Sequence, residues 1–150
     1  MIGLMIILAA LALAAAMMAR ASGFIPGPPD AELALQAAVT KTADFSGAWL
    51  DLGAGFEPGG LGMPVAGVVT VTALVTDDAD ETYAFVLEET DPDADGAADA
   101  TKIRKIGAAA AATGTGIVLA KGFVTSRFVR LTLDVDGTTP SVTYSANLTP

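Results

Sequence analysis

The chain has no cysteine and no histidine. Without cysteine there is no disulfide framework and no thiolate nucleophile, and the redox compartment stays open. Without histidine the commonest general base, the commonest zinc ligand and any serine–histidine triad are excluded. Positive charge is also scarce. Eight Lys and Arg stand against seventeen Asp and Glu, a net charge of −9. Gripping a phosphate backbone needs clustered cations, so nucleic acid is not an expected partner. Aromatic residues make up only 6%, which leaves little to line a sugar cleft. No long helical pattern follows any strand-like run, which argues against a parallel α/β sheet.

What is present reads as β. At 150 residues the chain holds one domain plus appendages, enough for a core. Val68 to Val75 is almost entirely Val, Thr, Ala and Leu, residues that fit a pleated surface. Period two puts Val69, Val71, Ala73 and Val75 on one face. A second run sets Tyr83, Phe85 and Leu87 against Thr82, Ala84, Val86 and Glu88. Asp77, Asp78 and Asp80 lie between the runs and favour a turn. The economical expectation is an antiparallel hairpin covered by other strands.

The remaining segments extend the pattern. Asp30 to Thr42 fits an extended arm or first strand, and Phe45 to Leu52 a strand with the single Trp49 in the core. Gly53 to Pro64 is a Gly- and Pro-rich loop without a phosphate-loop ending. Lys102 to Ile106 reads as a short strand, Gly107 to Gly116 as a low-complexity loop, and Ile117 to Leu119 as strand. Val129, Leu131, Leu133 and Val135 alternate inward, Asp136-Gly137 signals a turn, and Val142, Tyr144, Ala146 and Leu148 form the last alternating set. The sum, roughly seven or eight short strands, is the pattern of an antiparallel β-sandwich.

The N-terminus departs from this. Met1 to Ala19 carries no charge and as a helix would span roughly 28 Å, near the thickness of a bilayer core. Three readings stand together. Ala19-Arg20-Ala21 before Ser22 resembles a signal-peptide cleavage site, though no cation precedes the apolar run. The length suits a retained helix, in a membrane or buried in an assembly. Met17 or Met18 also suits a later start. The expected layout is an apolar helix over 1–22, a Pro/Gly linker and arm over 23–42, and the sandwich over 43–150.

Few residues suggest chemistry. Asp91, Asp93, Asp95 and Gly96 form a DxDxDG pattern with Asp99 following. Alternating hard oxygen ligands and a glycine at the sharp turn suit calcium, and a solvated acidic loop is the competing reading. At the twelfth position Lys102 stands where the closing Glu belongs. Glu88 and Glu89 are adjacent and point to opposite faces of a strand, so they cannot flank one glycosidic bond. Arg127 and Arg130 read as surface or interface charges. Acids crowd Asp77 to Asp99, whereas Lys102 to Arg130 holds cations and no acid. This charge split gives solvated faces, or one copy's acidic loop against another's basic strands.

Three segments carry a family resemblance: WLDLGAGFEP (Trp49 to Pro58), VVTVTALVTDDADETYAFVLEET (Val68 to Thr90) and RFVRLTLDVDGTTPSVTYSANLTP (Arg127 to Pro150). Together they resemble the jelly-roll capsid cement, or decoration, proteins of tailed bacteriophages, over about the last two-thirds of the chain. The resemblance implies a non-enzymatic virion protein on the capsid exterior. It implies trimers bridging capsomers of the major capsid protein, and no cofactor. The alternative from the residues is an exported or membrane-tethered β-sandwich module for adhesion or envelope structure, stabilised by calcium and anchored through residues 1–19.

Overall fold

The computed structural model describes residues 33–53, 62–77 and 79–149. The expected helix over 1–22, the linker up to residue 32 and loop residues 54–61 lie outside the described residues. Among the described residues nine strands follow in order: β1 (Ala34–Lys41), β2 (Phe45–Ser46), β3 (Leu50–Asp51), β4 (Met63–Leu74), β5 (Thr82–Thr90), β6 (Arg104–Ala111), β7 (Gly116–Val124), β8 (Phe128–Asp136) and β9 (Val142–Thr149). All pair antiparallel. One sheet has the order β1-β9-β4-β7, and the other β2-β8-β5-β6, with β3 also on β8. The described residues form an antiparallel β-sandwich, as the alternation predicts.

The core lies between the sheets. Val129, Leu131 and Leu133 of β8 and Val142, Tyr144, Ala146 and Leu148 of β9 are all buried, as period two requires. Phe85 of β5 meets Tyr144 of β9 edge to face at 4.9 Å, a favoured aromatic geometry. Leu35 of β1 joins this core, so the first strand begins within the segment expected to be an arm.

The central hairpin does not form. β4 pairs with β7 and β9, whereas β5 pairs with β6 and β8, so the two runs lie in opposite sheets. Each has ladder partners on both sides, and an arch over the acidic turn joins them. Ala79 in that turn sits at φ +60°, left-handed for a residue with a side chain. Alternation also slips within β4. A bulge between Val71 and Ala73 leaves Ala73 exposed and brings Leu74 against the core.

Two further segments differ from expectation. Ala108 to Ala111, expected in a loop, belong to β6, and Ala110 and Ala111 pair with Phe85 and Ala84 of β5. Register shifts between Phe85 and Leu87, where Gly107 sits at φ +78°. A Cβ there would overlap the carbonyl oxygen of Lys121, so only glycine lets β6 pass this close to β7. The expected strand around Trp49 is two short pieces, split where the Gly47 N–H donates to the Leu131 carbonyl at 2.9 Å. Trp49 itself is half-buried at the surface, not in the core.

Candidate functional site

The most concentrated polar chemistry lies at the end of β5. Glu88 and Glu89 are both buried. As adjacent strand residues they face opposite sides, and the register supplies each with a cation. Glu88 stands opposite Arg130 of β8, and Glu89 opposite Arg104 of β6. Cross-strand neighbours of opposite charge stabilise a sheet.

Glu89 points toward the other sheet and meets the turn that leaves β7. Its Oε2 accepts the N–H groups of Thr125 (2.7 Å) and Ser126 (3.0 Å), and its Oε1 accepts the Thr125 hydroxyl (2.9 Å). Arg104 pairs with it at 3.1 Å and donates to the Ser126 hydroxyl at 2.5 Å. That hydroxyl donates in turn to Asp91 Oδ1 at 2.6 Å. A buried carboxylate is tolerated only when its lone pairs are met in this way. Here it ties the end of β7 in one sheet to β5 and β6 in the other.

On the outer face, Arg130 bonds Glu88 through Nε (2.9 Å) and Nη2 (2.7 Å). Its guanidinium also lies 4.3 Å from the Trp49 ring centroid, a cation–π contact. Arg127 forks onto Asp51 at 2.7 and 2.6 Å. That bond, with the Gly53 N–H, holds the Asp51 carboxyl down at about 2, and Asp51 raises Arg127 in return. Both arginines therefore serve as anchors within the chain. Lys102 pairs with Asp99 at 3.2 Å. The acidic and basic runs thus meet within one copy at Glu88, Glu89, Asp91 and Asp99, through Arg130, Arg104 and Lys102.

The calcium candidates do not converge. Asp93 Oδ1 accepts the N–H groups of Asp95 and Ala97, closing its own loop at 2.9 Å each. Asp99 accepts the N–H and hydroxyl of Thr101, which lowers its pKa. Asp91 faces Ser126, and Asp95 is exposed. Among the described residues no three Asp or Glu side chains are grouped to hold a metal ion.

A second feature is an apolar row on the outer face of the β1-β9-β4-β7 sheet. Ile117 and Phe123 of β7 are 69% and 52% exposed. With Leu119 they share the outward face, and register places Phe123 beside Pro64, Leu119 beside Val68 and Ile117 beside Thr70. Lys121 stands in the same row. The Phe123 ring lies against Gly62, at φ +70°, where a side chain would collide with it.

The sequence pattern missed both features. Glu89 was legible as one of two adjacent acids, but its partners lie 36 and 37 residues away. The signal for the outer row is the spacing of Ile117, Leu119 and Phe123, which runs past the strand end expected at Leu119. No family model, curated protein or solved structure matches the chain.

Proposed function

We propose that the chain is a non-enzymatic cement protein of a tailed-bacteriophage virion. In this reading it is trimeric, sits outside the icosahedral shell and bridges capsomers of the major capsid protein. One observation carries the reading. The strand orders β1-β9-β4-β7 and β2-β8-β5-β6, with β3 also on β8, support a jelly-roll reading of the sandwich, the fold that the family resemblance implies. Further support comes from the polar residues. Glu88, Glu89, Arg104 and Arg130 spend their hydrogen bonds on joining strands, which suits a rigid body that carries load. The outward row of Ile117, Leu119 and Phe123 offers an apolar patch for a shell surface. Each contact is small, and many copies on one shell add by multivalency.

The test is reconstitution. Purified protein is added to shells lacking it and sedimented, with Phe123→Asp as the comparison. The reading expects saturable co-sedimentation, raised shell resistance to heat, and weakened binding of the variant. No binding to shells would overturn it. The uncharged Met1–Ala19 run favours the second reading, an exported or tethered β-sandwich module. That reading expects the protein in envelope fractions instead.

A further inference from the structure

The sequence contains two Asp-Gly pairs, Asp95-Gly96 and Asp136-Gly137. Such pairs are the places where a backbone amide can attack the preceding carboxyl, because glycine puts no side chain in the way. The fold treats the two differently. Asp136 ends β8, is exposed, and precedes Gly137 at φ +124°. The Gly137 N–H donates to Asp136 Oδ1 at 2.9 Å, so the amide nitrogen lies against the carboxyl group it would attack. At the other pair, the Gly96 N–H is given to the Asp93 carbonyl at 3.1 Å. The Asp95 N–H is held by the Asp93 carboxylate.

We propose that Asp136-Gly137 is a self-modification site, at which the folded protein forms a succinimide and then isoaspartate. The Gly137 nitrogen bonds to Asp136 Cγ and loses its proton, and the carboxyl hydroxyl leaves as water. Water then adds back at the Asp136 main-chain carbonyl, and the bond from that carbonyl to the Gly137 nitrogen breaks. The chain now runs through Cβ and Cγ of residue 136. No oxidant, metal or enzyme is needed, and the net composition is unchanged.

The altered link falls at a tight point. Gly137 packs so closely on Glu81 that a Cβ would come within 2.8 Å of its Cα. Thr138 donates its hydroxyl to Asp80 at 2.8 Å, and Asp136 pairs with Thr82. An extra backbone atom here loosens the β8–β9 turn from the arch between β4 and β5. The product accumulates slowly through the succinimide, so its level rises with the age of each copy.

The test ages the full chain at physiological temperature, native and in urea. Isoaspartyl methyltransferase labelling and electron-transfer fragmentation of tryptic peptides then locate the product. Cleavage after Lys102 and Arg130 puts the two pairs in different peptides. The expected result is label at residue 136 several-fold above residue 95 in the native chain, with the ratio falling toward one in urea. Asp136→Glu, which keeps the charge, should lose the label. A ratio unchanged by unfolding, label mainly at residue 95, or no native label at residue 136 would each overturn the proposal.

Discussion

The hydroxyl of Tyr83 accepts the backbone N–H of Ser141 at 2.8 Å and donates to the Val75 carbonyl, also at 2.8 Å. Tyr83 is the second residue of β5, Val75 follows β4, and Ser141 precedes β9. One buried phenol therefore closes the end of the sandwich where the chain arches between sheets. Tyr83→Phe keeps the ring and leaves both backbone groups unpaired. The expected loss is about 1–3 kcal/mol, read by denaturant unfolding with an unchanged slope.

Glu89 and Arg104 form an unequal pair. The carboxylate is buried, whereas the arginine side chain is 52% exposed. Glu89→Ala orphans two N–H groups and a hydroxyl, and about 3–5 kcal/mol is expected to be lost. Arg104→Ala removes a partner that water largely replaces, and about 1 kcal/mol or less is expected. Chemical denaturation of the two variants side by side checks the order. Equal losses would contradict the anchoring role given to Glu89.

Burial pushes the Tyr144 hydroxyl up to about 12 from an ordinary 10.0. The folded state thus favours the neutral phenol. That contribution is complete below pH 10 and is lost as pH rises toward 12. Stability should fall through this window in the parent chain and fall less in Tyr144→Phe. Thermal unfolding against pH, with phenolate absorbance, gives the comparison.

Gly107 marks the close approach of β6 to β7, and Gly96 and Gly114 serve as comparisons. Gly107→Ala meets both a left-handed backbone and the Lys121 carbonyl. The backbone costs roughly 1–2 kcal/mol, and the overlap typically adds about 1–3 kcal/mol. Gly96→Ala has the left-handed backbone and open space, so only the first cost is expected. Gly114→Ala has neither and should be near neutral. Melting temperatures of the three variants should follow that order.

These residues also show what the sequence could reveal. Val129, Leu131 and Leu133, like Tyr144, Ala146 and Leu148, announce their inward face because alternation is a local signal. The alanines of β6 announce nothing, since a small side chain has no face to prefer. Their strand is imposed by pairing to β5 and by the space at Gly107. The turn between β4 and β5 reads the same whether it closes a hairpin or an arch. Partners for both edges decide, and β7, β8 and β9 all come later in the chain. The charge cluster is hidden for the same reason. Glu88 and Glu89 find their cations and N–H donors only once strands distant in sequence are in register.

The proposed role is tested most directly by intact-mass spectrometry of the native chain, from purified phage particles and host envelope fractions in parallel. The capsid role predicts the protein in particles at a fixed stoichiometry to the major capsid protein, and its mass would show whether Met1 to Ala21 is retained. Recovery only from the envelope, shortened after Ala21 or membrane-bound, would contradict the capsid role and establish the exported module instead.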